Sequence, residues 1–145
     1  MNDTIFDVDA IASSGSRILI FADGVAIHRR GEEGRCAYIV KRGKVELRQK
    51  GRSLETIGPG EIFGEASLLI DAPQIDTAVA IGDVELLPID RDLFGVLVRD
   101  DEDFAGAVMR LLARRLSAAS TIFEHCVEDL SAAEDGAAAS ARVSA

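Results

Sequence analysis

The sequence predicts a mainly β domain, in the form of a barrel, sandwich or jelly roll, followed by a C-terminal α segment. Three observations carry that expectation. Between residues 17 and 90, short apolar or alternating runs are interrupted by glycine every eight to twelve residues, the spacing of many short strands rather than of βαβ units. After Ile89 the apolar period becomes that of a helix. The chain has 145 residues, 48% hydrophobic and 28% charged, enough for one domain with a real core and the balance of a folded soluble protein.

Residues 1–16 make an N-terminal segment in which Ile5, Phe6, Val8 and Ile11 are spaced for one short helical turn docked on the main body. The β domain spans residues 17–99. Its runs are 18–21, 25–28, 37–40, 44–48, 54–57, 77–81 and 84–89, separated by Gly31, Gly34, Gly43, Gly51, the Gly58-Pro59-Gly60 turn and Gly82-Asp83. Val45, Glu46, Leu47 and Arg48 alternate cleanly, so that strand has one wet face. Pro88 lacks a ladder donor and assigns its run to a sheet edge. Residues 92–97 read as a short helix.

A long helix is expected over residues 100–130. Asp100, Asp101, Glu102 and Asp103 suit the positive end of a helix dipole, and no proline follows. Ala105, Met109, Leu112, Leu116, Ala119, Phe123, Cys126 and Leu130 recur at alternating spacings of four and three, a seam of 3.5-residue period. Phe104, Val108 and Leu111 lie on a neighbouring face confined to the first turns. The first third is therefore expected to pack on the β domain and the remainder to pair with a second helix. A homodimer through residues 105–130 follows, because about 45 Å of helix exceeds what a small β domain covers. The alternative is an amphipathic helix lying along its own domain. Residues 131–145, with seven alanines and three serines, read as a flexible tail.

Charge and chemistry exclude several functions. With 25 Asp and Glu against 16 Lys and Arg, the net charge is −9, a surface that repels phosphate backbones. DNA binding by this chain alone is not expected. No apolar run approaches the roughly 18 residues of a membrane span, and the acidic N-terminus lacks the basic start of a secretory signal. Cys36 and Cys126 stand ninety positions apart without a CxxC spacing, which reads as two reduced thiols in a cytoplasmic protein. His28 and His125 are the only histidines, so a metal centre, including that of the glycine-rich cupins, is not expected. There is no GxSxG elbow and no GxxxxGK[ST] loop. Glu32-Glu33 and the acids at 100–103 read as solvated turn and helix-start residues. An enzyme is not expected.

The informative stretch runs from Ile57 to Leu69 and continues through Ala72-Pro73-Gln74-Ile75-Asp76-Thr77-Ala78. A turn leads to Phe63, and Gly64 opens a short helix over residues 65–69 inserted between two strands. Free amides at such a start attract anions, and the missing Cβ of Gly64 lets a ligand approach. Glu65 can accept hydrogen bonds from vicinal hydroxyls, and Ser67 can donate one.

At this point the sequence resembles the cyclic nucleotide-binding domain of catabolite-activator-type regulators, cyclic-nucleotide-dependent kinases and gated channels. The residues that carry the resemblance are Gly24, Gly31, Tyr38-Ile39-Val40 with Gly43 and Val45, Gly58-Pro59-Gly60 with Phe63-Gly64-Glu65, Leu68-Leu69, Pro73, Phe94 and Ala113-Arg114-Arg115-Leu116. The resemblance covers residues 17–116. It implies a jelly-roll-like β-roll followed by a short helix and a long C-terminal helix, and a regulatory domain that senses cyclic AMP, cyclic GMP or a related ligand and signals through that helix. It implies a ligand site at Gly64, Glu65, Ala66, Ser67, Gln74, Ile75 and Thr77, with Glu65 on the ribose 2′-hydroxyl and the amides of 64–67 on the cyclic phosphate. The sequence departs from the family at the phosphate-pairing arginine, which is replaced by Gln74, while Asp76 stands where a small residue is expected. Losing a charge-assisted bond removes about 1.5–3 kcal/mol, one to two decades of affinity, and a nearby carboxylate adds about 1 kcal/mol of repulsion. Arg91 or a partner helix could supply the missing charge. The second expectation is therefore a ligand-free dimeric scaffold or protein-interaction module.

Overall fold

The computed structural model describes residues 5–12 and 17–137. Strand β1 (Leu19–Phe21), β2 (Ala26–His28), β3 (Cys36–Gln49), β4 (Arg52–Ile57), β5 (Ile62–Phe63) and β6 (Thr77–Asp90) form one antiparallel sheet. Helix α1 (Val8–Ala12) precedes it, α2 (Glu65–Ile70) interrupts it, and α3 (Arg91–Asp100) and α4 (Glu102–Ala137) follow. The order along the sheet is β1-β6-β3-β4, with β2 also on β6 and β5 also on β3. This is the expected mainly β architecture with a C-terminal helix.

Two long strands replace four of the expected short ones. Runs 37–40 and 44–48 join as β3, and runs 77–81 and 84–89 join as β6. The reason lies in Gly43 and Gly82, at φ +88° and +69°. Each takes a left-handed conformation that bends the strand without ending its ladder, and the β3–β6 register slips on either side of Arg42. A side chain at Gly43 would also run into the Asp83 carbonyl. Between β3 and β4, Lys50 and Gly51 are both at positive φ, 52° and 76°, the two-residue turn that matches strand twist. Pro88 does not mark an edge. Strand β6 is central, and Pro88 pairs with Tyr38 of β3 beyond Leu86, where pairing with β1 ends, so its missing donor breaks no bond to β1.

The core of the roll holds Val40, Val45, Leu47, Ile57, Phe63, Ala78, Ala80, Val84 and Leu86, with Phe21, Ile27 and Tyr38 packed against it. Each large side chain buried there contributes about 1.5–3 kcal/mol. A second group ties both ends of the roll together. Phe6 meets Phe104 at 5.2 Å between ring centres, and Phe94 meets Phe104 edge-on at 5.4 Å. The Phe6 amide donates to the Gly60 carbonyl at 2.6 Å, which fastens the chain ahead of α1 to the turn before β5. Residues 1–4 and 13–16 of the N-terminal segment lie outside the described residues.

Asp90 caps α3, its side chain accepting from the Leu93 amide at 2.8 Å, and Asp101 caps α4 by accepting from Phe104 at 3.1 Å. Such caps are worth about 1 kcal/mol each. The chain divides into two compact units, Met1–Val108 and Met109–Ala145. The first turns of α4 belong to the first, where Phe104, Ala107 and Val108 are buried. In the second, Met109, Leu112, Leu116, Cys126 and Leu130 of the seam are exposed; the Phe123 side chain lies outside the described residues. Helix α4 runs seven residues past its expected end at Leu130, because Ala132, Ala133 and Ala137 favour helix. The rest of the expected tail, 138–145, is outside the described residues. Among the described residues no helix is long and apolar enough to cross a membrane.

Candidate functional site

The insert between β5 and β6 is fastened at both ends by backbone bonds. At its entry the Gly60 amide donates to the Val40 carbonyl at 2.7 Å and the Val40 amide to the Glu61 carbonyl at 3.0 Å, while Glu61 Oε1 accepts from the Gly58 amide at 2.9 Å. These bonds deliver β5 to β3, with Phe63 opposite Tyr38. Gly64 then sits at φ +79° as the N-cap of α2, and a Cβ there would lie 3.3 Å from the Cys36 carbonyl. The glycine is thus required by conformation and by close approach together.

Glu65 is only 1% exposed and Ser67 5%. Ser67 Oγ donates to the Gly64 carbonyl at 3.1 Å, so the hydroxyl expected to reach a ligand closes the first turn of α2. Ala66 is half-buried between them. Because α2 has six residues, its dipole is small, and the cassette depends on its side chains as well as its amides. Asp71 ends the helix in a left-handed conformation and pairs with Arg91 at 3.2 Å. Arg91, considered as a substitute for the missing cation, is paired there with Asp71 in an exposed contact worth little by itself.

At the exit, the Gln74 amide donates to the Glu32 carbonyl and the Gly31 amide to the Gln74 carbonyl, each at 2.8 Å. This pair of bonds lays the cassette against the β2–β3 loop. Gln74 is 6% exposed, and its Nε2 lies 3.8 Å from where a Gly64 side chain would begin. Ile75 is exposed, and its carbonyl accepts from Gln49 Nε2 at 3.1 Å. Thr77 Oγ1 accepts from the Arg30 amide at 3.1 Å.

Beside this cassette lies a cavity of about 360 Å³ lined by Ile27, His28, Glu32, Glu33, Arg35, Cys36, Tyr38 and Gln74, at the lower end of the range for small-ligand sites. Of the residues expected from the sequence, Gln74 lines it and Gly64 stands next to Gln74. The remaining lining comes from β2, the β2–β3 loop and β3, which the motif alone does not reveal. Asp76 also differs from expectation: rather than standing as an isolated repulsive carboxylate, its Oδ1 pairs with His28 Nε2 at 2.9 Å. His28 is 5% exposed and lies against Phe63 at 5.9 Å, while Tyr38 stacks on Phe63 at 5.4 Å. Arg35 pairs with Glu33 at 3.3 Å, both exposed, a contact worth little by itself.

Burial, with Asp90 adding to it, pushes the Cys36 thiol above its ordinary 9.0. Burial, then Cys36 and Glu32, pushes the Tyr38 phenol above 10.0. Both groups are neutral at physiological pH. The unfolded chain releases these protons at the ordinary values while the folded chain retains them, so folding stability is complete below about pH 9 and falls above it. Urea midpoints at pH 8 and pH 10 should differ, and Cys36→Ala should reduce the difference; an equal fall in that variant would contradict the assignment. Among the described residues there is no group of three His, Cys, Asp or Glu able to hold a metal.

Sheet, insert and cavity together define a β-roll with a helical cassette. The family model described as "Cyclic nucleotide-binding domain" matches residues 18–101, more than half of the chain, and the protein belongs to that family. It is similar to the cyclic AMP receptor protein of Thermus thermophilus, with 38% identity over 115 residues that make up 76% of this chain and 53% of that protein. The chain therefore spans about half the length of that relative. Among solved structures it is similar to the Thermus thermophilus catabolite activator protein, with TM-score 0.74 and 35% identity over 83% of this chain and 58% of that one. A chain described under "A cyclic-GMP-dependent signalling pathway regulates bacterial phytopathogenesis" gives TM-score 0.67 and 31% identity, covering 78% and 96%.

Proposed function

We propose that this is a regulatory rather than catalytic domain that senses a cyclic nucleotide, cyclic AMP or cyclic GMP, or a related ligand, through the cassette formed by Gly64, Glu65, Ala66, Ser67, Gln74, Ile75 and Thr77, and signals through its C-terminal helix. The observation that carries this reading is the fastening of Gln74 to Gly31 and Glu32, which lays the cassette beside the cavity. A relative named for cyclic AMP and a neighbour described under cyclic GMP signalling support the ligand class. The link from Gly60 to Phe6 and from Phe6 to Phe104 supports a route from the cassette to the start of α4. In this reading the domain is cytoplasmic, and its net charge of −9 keeps it from binding DNA by itself.

Thermal melting with millimolar cyclic AMP and cyclic GMP tests the reading. A ligand at one hundred times its Kd stabilises the fold by about 2.7 kcal/mol, and Glu65→Ala should abolish that gain; no shift with either nucleotide would contradict ligand sensing. Gln74 in place of a cation favours the second reading, a ligand-free dimeric scaffold. Both readings use a homodimer through residues 105–130, supported by the exposed Met109, Leu112, Leu116 and Leu130. Leu116→Asp should sediment as a monomer, and an unchanged dimer would move the interface elsewhere.

A further inference from the structure

We propose that His28, held by Asp76, supplies the positive charge that an anionic cyclic phosphodiester needs in this cavity, so that ligand binding takes up one proton at His28. The inference rests on the ligand-sensing reading above and names the residue that replaces the family's arginine.

Asp76 Oδ1 lies 2.9 Å from His28 Nε2, and since a carboxylate only accepts, Nε2 carries hydrogen. His28 Nδ1 is buried and has no hydrogen-bond partner among the described residues. In the neutral ring Nδ1 is therefore an unused acceptor, and the charge of Asp76 is left uncancelled beside the cavity. A proton taken from solvent onto Nδ1 makes the ring a cation and forms an ion pair with Asp76. The change raises the local charge by one unit, which is the change an anionic ligand requires.

The groups around His28 agree with this assignment. From the β2–β3 loop come Glu32, Glu33 and Arg35, exposed side chains that together carry two negative charges against one positive. From β3 come Cys36 and Tyr38, both kept neutral. The Phe63 ring covers it from β5, the residue opposite it on β6 is the uncharged Ala78, and the buried carboxylate of the insert is Glu65 on α2. Gln74 contributes hydrogen bonds and no charge. His28 is thus the lining residue with an unused ring nitrogen that can accept a proton, and Asp76 is placed to hold the charged ring.

The test is calorimetric titration of cyclic AMP and cyclic GMP at pH 5.5, 7 and 8 in the wild type, His28→Gln and Gln74→Arg. The expected wild-type affinity is at least tenfold tighter at pH 5.5 than at pH 8, with a slope no steeper than one decade per pH unit, and His28→Gln removes the slope. Equal wild-type affinity at the extremes, or an unchanged slope in His28→Gln, overturns the inference. If the wild type binds with equal affinity at every pH, the inference is overturned while the ligand-sensing reading survives; if the wild type binds at no pH, both are overturned, and binding by Gln74→Arg alone would then show a degenerate cassette. Imidazole resonances give a readout that needs no folded variant. With only His28 and His125 in the chain, nucleotide added at pH 7 should increase the protonated fraction of His28, and an unchanged fraction overturns the inference.

Discussion

Phe63→Ala is expected to lose about 3–5 kcal/mol of folding stability, a large part of the 5–15 kcal/mol typical of a domain. Phe63 is fully buried and belongs to the central core cluster. It also forms the common wall behind Tyr38 and His28, so its removal opens a void where the cavity meets the core. Urea denaturation followed by far-ultraviolet circular dichroism gives the loss directly. A variant that melts within about 1 kcal/mol of the wild type would mean that the wall collapses without cost and that Phe63 does not organise the site. Phe63→Leu, expected to cost roughly 1–2 kcal/mol, keeps the comparison available if the alanine variant does not fold. Tyr38 is the one tyrosine and there is no tryptophan, so intrinsic fluorescence reports on this wall alone.

Gln74→Arg is expected to tighten cyclic nucleotide binding by ten- to a hundredfold, the worth of one charge-assisted hydrogen bond of about 1.5–3 kcal/mol. The new guanidinium replaces a nearly buried amide, so the ligand-free variant should be less stable by about 1–3 kcal/mol, with bound nucleotide offsetting the loss. Adding Asp76→Ala should contribute less than a further tenfold. On sequence grounds Asp76 is a source of repulsion, but the structure has its carboxylate engaged by His28. Titration calorimetry on the single and double variants separates these cases. A gain confined to the double variant would show that Asp76 repels the phosphate in spite of its partner, and no gain in either would detach position 74 from the ligand.

The parts of the fold legible in the sequence are those set by local pattern. Strand runs, the Gly58-Pro59-Gly60 turn and the start of α2 at Gly64 all follow from periodicity and backbone preference. The division of β3 and β6 into four strands did not hold, because a glycine at positive φ ends a strand in one context and bends it in another; only the partner strand decides between them. Strand β5 was not legible because two residues have no period. The central place of β6, despite Pro88, depends on where β1 stops, which is a tertiary fact. Beside the cavity, Gln74 and the neighbouring Gly64 are readable from their motif. His28, Tyr38 and Arg35 are not, since they reach the cavity from elements distant in sequence and a lone histidine in an alternating run carries no signal. The role of Asp76 depends on a partner 48 positions away, beyond any local rule.

The place where a ligand lands tests cyclic nucleotide sensing through the cassette most directly. Backbone amide resonances of the wild type, recorded during titration with cyclic AMP and cyclic GMP at pH 6, give that position. The expected result is a saturable set of shifts concentrated at Gly64, Glu65, Gln74 and Asp76, with His28 and Tyr38 across the cavity. Spectra unchanged at millimolar nucleotide, or shifts confined to the exposed residues of α4, would contradict it.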